Sequence, residues 1–150
     1  NKGVNTANDK RMLTPKESVK VRMNFGDISG WDAFAVKQTE VGKSNMVTGA
    51  EGYYIIVKQD KLELQRYPSS GNPIKADVVN NNNIIKPNTY HEIEVSCEQT
   101  ADDGSRIIFK VDGNVIFDYT DNETPINELG YFCVQSNAAS TKETCIKPGE

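Results

Sequence analysis

Two glutamates one residue apart, Glu92 and Glu94 in YHEIEVSC, come nearest in this chain to a paired-carboxylate site. Carboxylates spaced this way on an extended strand share a face, the arrangement from which an acid and a nucleophile can be built. No third acid follows, because the run continues Val95-Ser96-Cys97. His91, the single histidine, alternates with Ile93 and Val95 and so belongs with the apolar face, as a core histidine does. No nucleophile elbow, phosphate loop or Cys-His spacing is present. The reactive residue types therefore argue against catalysis.

Binding chemistry is better represented, above all in GYYIIVKQDKLELQRYP, from Gly52 to Pro68. Leu62 and Leu64 point one way along a strand and force Glu63, Gln65 and Tyr67 to the other side. In the preceding run Tyr53, Ile55 and Val57 alternate with Tyr54 and Ile56, so both faces are apolar. Such a central strand needs its outer face covered, either by more of the chain or by a ligand. Arg66 falls on the leucine side, yet at the strand end its guanidinium fork can reach the rim. Trp31, the single tryptophan, follows a glycine at a strand entrance, and Asn81 and Asn82 lie in an asparagine run.

The elements that must position these groups are strands. Helical periodicity is hard to find, whereas period-2 alternation and turn dipeptides recur at short intervals. Glu17 to Phe25 alternates Val19, Val21 and Met23 with Lys20, Arg22 and Asn24. WDAFAVKQ follows a GDISG turn, and Lys43 to Glu51 reads as a polar loop. Tyr53–Lys58 and Lys61–Tyr67 form a hairpin at Gln59-Asp60, where Asp tolerates a positive φ. A short strand at Lys75–Val79, the run Asn80–Asn83 and then Ile84-Ile85 precede YHEIEVSC. RIIFKV and VIFDY flank Asp112-Gly113, a strong hairpin signal. GYFCVQS is a further strand and ETCIK a candidate closing one. Nine or ten such strands predict an all-β, antiparallel two-sheet sandwich or jelly roll with little or no helix.

The chain has 150 residues, which suits one core. Asp and Glu number 21 against 17 Lys and Arg, with no basic cluster, which argues against nucleic-acid and anionic-membrane surfaces. No apolar run approaches the ~18 residues that span a bilayer. The opening NKGVNTANDK reads as polar linker, so residues 1–16 are expected to be irregular and the chain to be a module of a larger multidomain protein, with no export signal of its own. Cys97, Cys133 and Cys145 allow one disulfide at most and match no zinc spacing; three buried thiols are the alternative. Asn122-Glu123-Thr124 fits the N-glycosylation pattern, relevant only to a secreting eukaryote.

The succession GYYIIVKQDKLELQRY, NTYHEIEV, DDGSRIIFKVDGNVIFDYTD and GYFCVQS resembles the concanavalin A-like, laminin-G-like jelly-roll superfamily, particularly the sugar-binding modules beside bacterial polysaccharide-degrading domains. The resemblance runs from about Val19 to Ser136 and marks fold better than ligand. It implies a non-catalytic module, monomeric and secreted or displayed at the cell surface, that holds a larger protein against a polysaccharide or oligosaccharide, with no cofactor required. Sugar recognition needs aromatic faces and planar polar groups, which Trp31, Tyr53, Tyr54, Glu63, Gln65, Arg66, Tyr67, Asn81 and Asn82 would supply. A structural calcium also belongs to the resemblance. The acid-rich positions are Asp102-Asp103, Asp112, Asp118, Asp121 and Asn122, of which Asp103 and Asp112 already serve turns; Asp118 and Asp121 are taken as its candidate ligands. The alternatives on the same fold are a protein-interaction or structural domain and a glycoside hydrolase or lyase. A laminarinase-type E-x-D-x-x-E run, which a hydrolase would carry, is absent.

Overall fold

Alternation of apolar and polar side chains becomes two facing sheets in the computed structural model, which describes residues 5–13, 16–38, 51–68, 72–126, 130–136 and 147–148. Among these residues there are eleven strands and no helix. In chain order they are β1 (Asn5–Leu13), β2 (Lys16–Asn24), β3 (Trp31–Gln38), β4 (Gly52–Lys58), β5 (Lys61–Tyr67), β6 (Ile74–Asn80), β7 (Tyr90–Gln99), β8 (Ser105–Val111), β9 (Asn114–Asp121), β10 (Gly130–Ser136) and β11 (Lys147–Pro148). One sheet has the order β1-β10-β3-β4-β5-β6 and the other β11-β2-β7-β8-β9. Every neighbouring pair is antiparallel.

The core lies between the sheets. Val19, Val21 and Met23 from β2, Ile93 and Val95 from β7, and Ile107 and Phe109 from β8 face Phe34, Val36, Ile55, Val57, Leu62 and Leu64 of the larger sheet. Phe34 and Phe109 meet across the layers with ring centroids 6.0 Å apart, and Phe25 meets Phe34 edge-on at 5.7 Å. Offset and edge contacts of this kind suit the aromatic quadrupole. The Asp112-Gly113 hairpin closes with both φ values positive, 51° and 84°, as a type I′ turn requires.

Two expectations give way. The polar N-terminal stretch is β1, paired with β10, because an edge strand is held through its backbone ladder and needs little apolar alternation. Ile85 packs in the core from a loop. The Gln59-Asp60 turn closes without a positive φ. Lys43 to Ala50, Cys145 and the first four residues of ETCIK lie outside the described residues, as does the side chain of Cys133. Cys97 is 1% exposed in the core.

Asn81 holds that turn instead. Its side-chain NH2 donates to the carbonyls of Lys58, Gln59 and Ile85 at 3.0, 3.2 and 3.2 Å, and its Oδ1 accepts from the Ile85 amide at 2.8 Å. Its backbone amide donates to Asp60 O at 2.9 Å. Each amide atom is committed to scaffold, and the side chain is 2% exposed. Asn81→Ala strands several buried backbone groups at once, so a loss of ~2–3 kcal/mol is expected, read as a lower urea midpoint with unchanged m.

Candidate functional site

The period of two assigns the residues of the central hairpin to opposite faces, and the structure follows it. Tyr53 is in register with Arg66 and Val36, facing the core. Tyr54 is in register with Gln65 and Ala35, facing outward. The outer face of the six-stranded sheet thus carries Trp31, Ala33 and Ala35 from β3, Tyr54, Ile56 and Lys58 from β4, and Lys61, Glu63, Gln65 and Tyr67 from β5. Across β6, Val78 lies opposite Glu63 and Lys75 opposite Gln65.

One end of this face is closed and the other open. Tyr54, Ala33 and Ala35 are fully buried within the chain, and Tyr67 is 6% exposed, stacked on Tyr54 with centroids 4.4 Å apart. Burial pushes the Tyr67 phenol upward, and the Glu63 charge adds to the rise. Trp31 packs on the edge of this cluster and stays half-buried beside Lys58. Gln65 is also partly exposed, yet its Oε1 is shielded from solvent and has no hydrogen-bond donor. A buried acceptor without a donor is uncommon and asks for an explanation.

Glu63 anchors the open end. Its carboxylate is 3.0 Å from Lys58 Nζ, 2.8 Å from Lys75 Nζ and 3.6 Å from Lys61 Nζ. Burial is the largest influence on this group and opposes ionisation, but the hydrogen bonds from Lys75 and Lys58 and their charges override it, holding the pKa down at about 2. Among the described residues of this face Glu63 is the one carboxylate, so no acid-nucleophile pair is formed there. Glu92 and Glu94 belong to the other sheet, where Lys20 lies 3.8 and 3.9 Å from them and Lys110 is 3.5 Å from Glu94.

Several sequence-derived site residues serve the scaffold. The Tyr53 hydroxyl donates to Asp121 Oδ2 at 2.9 Å and accepts from the Ile126 amide at 3.0 Å. Burial pushes its phenol above the ordinary range. Arg66 donates from Nε to Thr124 O at 2.8 Å and from Nη2 to Glu51 Oε1 at 2.8 Å, and lies 3.5 Å from Asp121 Oδ2. Its side chain is 9% exposed and does not reach the outer face. Asn81 holds the turn described above, and Asn82 beside it is exposed. Asp118 and Asp121 are not brought together, because three residues along a strand they face opposite ways. Asp118 is exposed and forked by Arg106 at 2.8 and 2.7 Å, whereas Asp121 is 3% exposed and capped by the amides of Glu123 and Thr124. Among the described residues no group of three or more His, Cys, Asp or Glu converges as a metal centre would. The lysine cluster was missed by sequence reasoning, although Lys58, Lys61 and Glu63 were all visible at outward positions beside the hairpin turn.

A second concavity, about 380 Å³, opens at the end of the five-stranded sheet, lined by Asn83, Lys86, Tyr90, His91, Asp112 and Asn114 among others. His91 Nε2 accepts from the Lys86 amide at 3.0 Å, so the ring proton sits on Nδ1, 2.7 Å from Asp112 Oδ2. Both ring nitrogens are thereby occupied, and the histidine is structural.

No protein-family model matches the chain, and no curated protein sequence does. Solved structures do. Sheep galectin-11 in complex with glycerol superposes with a TM-score of 0.65 at 10% identity, over 99% of this chain and 95% of that one. The carbohydrate recognition domain of Emp46p in its potassium-bound form gives 0.65 at 8% identity, over 88% and 69%. Bacillus licheniformis β-glucanase gives 0.58 at 16% identity, over 87% of this chain and 56% of that one. At these identities the likeness is one of fold, and the chain has the concanavalin A-like jelly-roll sandwich.

The clamped carboxylate yields a pH test. The Glu63 pKa falls on folding from its ordinary 4.5 to about 2, so its contribution is complete above pH 4.5 and is lost as pH falls toward 2. The shift corresponds to on the order of 3 kcal/mol. Glu63→Gln should lower stability at pH 7 by roughly that amount, and the gap from the parent chain should shrink between pH 4.5 and 3 in urea melts. A gap independent of pH would show that the lysines do not hold this group ionised.

Proposed function

We propose that the outer face of the six-stranded sheet binds carbohydrate without transforming it, as a module that holds the other domains of a secreted or surface protein against a polysaccharide. The observation that carries the reading is a half-buried Trp31 at the open end of this face, beside the fixed polar groups of Lys58, Lys61 and Glu63. A tryptophan face suits the apolar side of a sugar ring, and preformed donors and acceptors suit its hydroxyls.

Hydrolysis of the same ligands is the competing reading, and the fold accommodates both: the similar structures include a galectin and a β-glucanase. A retaining hydrolase needs two carboxyl groups about 5–5.5 Å apart, one of them able to carry a proton. Glu63, held at about 2, stays ionised at neutral pH, and the described part of its face offers no second carboxyl group. This favours binding.

Affinity gels with a panel of neutral and charged polysaccharides test the proposal. Trp31→Ala should weaken retardation by about tenfold, the equivalent of ~1–1.5 kcal/mol. Failure of the folded chain to bind any polysaccharide would remove the proposal, as would full affinity in the Trp31→Ala variant.

A further inference from the structure

The outward faces of the two sheets carry different charge balances. On the five-stranded sheet Lys20, Arg22, Arg106 and Lys110 stand against Glu92, Glu94, Glu98 and Asp118, four against four. On the six-stranded sheet Lys58, Lys61 and Lys75 share the single carboxylate of Glu63. Glu63 sits beneath them with its side chain 3% exposed, while the lysine side chains are 36%, 35% and 53% exposed. A carboxylate accepts about four hydrogen bonds, and three ammonium groups offer about nine donors, so most of the donors are left to solvent. Two positive charges are in surplus, and one remains even when Asp60 in the intervening turn is counted against them. The chain as a whole carries −4, so this corner runs against its balance.

We propose that this corner selects glycans bearing negative charge, either the carboxylate of a uronic acid or a sulfate ester. The inference rests on the carbohydrate-binding reading and adds the ligand class. Glu63 holds the three ammonium groups from below, at fixed distances, and the anionic substituent meets them from the solvent side. Trp31, in register with Lys58, lies beside them to take the ring, and Val78, 45% exposed and opposite Glu63, extends the apolar floor. The arrangement resembles a charge-assisted anion site in which the protein supplies one counter-ion and the ligand the second.

Affinity electrophoresis of the whole chain separates the possibilities. The probes are polygalacturonate against neutral galactan for the carboxylate, and dextran sulfate against dextran for the sulfate. At least one anionic polymer should be retained about tenfold more tightly than its neutral counterpart, and raising salt from ~0.05 to ~0.5 M should weaken it by about the same factor. Lys61→Gln/Lys75→Gln should lose about tenfold for the anionic polymer, while Lys110→Gln, on the other sheet, should lose nothing. Lys58 remains 3.0 Å from Glu63 in the double variant, and near-ultraviolet circular dichroism checks that it folds. If it does not, Lys75→Gln alone takes its place. Equal affinity for charged and neutral polymers, an unaffected double variant, or an equal loss in Lys110→Gln overturns the charge selection and leaves carbohydrate binding standing. Absence of binding to all four polymers removes both.

Discussion

The carboxylate of Asp121 is the constraint on which the sandwich depends. A buried carboxylate is tolerated only when its oxygens are satisfied, and this one takes the Tyr53 hydroxyl from β4 and the amides of Glu123 and Thr124, with Arg66 of β5 beside it. Asp121 ends β9 in the five-stranded sheet, while Tyr53 and Arg66 belong to the six-stranded one. One buried polar group therefore ties the two layers together. Gly104 makes room at the adjoining turn, where an added Cβ would fall 2.4 Å from Asn122 Oδ1 and 3.2 Å from Asp121 O.

That tie also decides what the outer face can be. With Tyr53 and Arg66 committed inward, a side-chain period of two leaves Tyr54, Gln65 and Tyr67 no alternative to the outside. Leu62 and Leu64 repeat the commitment on β5 and send Glu63 outward. Asn81 then secures the turn between the strands from a neighbouring loop, so Lys58 and Lys61 leave the hairpin at fixed places beside the turn, 3.0 and 3.6 Å from Glu63. The outer-face groups are positioned by contacts made on the opposite side of the sheet, which is how a fixed array of side chains is obtained without a large cavity.

How much of this was legible in the sequence varied with the range of the interaction. Asp112-Gly113 announces its hairpin because the two φ values are a local property. Leu62 and Leu64 assign the faces of β5 because alternation needs only neighbours. Tyr53 and Tyr54 look alike in sequence and part company through Asp121, 68 residues away from Tyr53. Arg66 likewise reads as a rim residue until Thr124 and Glu51 claim its guanidinium. Asn81 stands in a run of four asparagines, and nothing within that run marks the one whose amide is used up by three carbonyls. The polar N-terminal strand was invisible for a related reason: an edge strand is specified by the ladder it joins, and its own side chains say little.

The state of Glu63 connects the scaffold to the reading of function. A group that donates protons must hold one near the working pH, and the ammonium groups of Lys75 and Lys58 prevent that here by stabilising the charged form against desolvation. A nucleophile, in turn, needs lone pairs turned to the ligand, and those of Glu63 are turned to Lys58, Lys61 and Lys75 beneath the surface. The same contacts that disqualify the carboxylate from either catalytic role keep three donors in place, so the proposed anionic ligand would meet them without reorganisation. An arrangement of this kind gains from recognising a charge already present on the ligand and gains nothing from one that develops during a reaction.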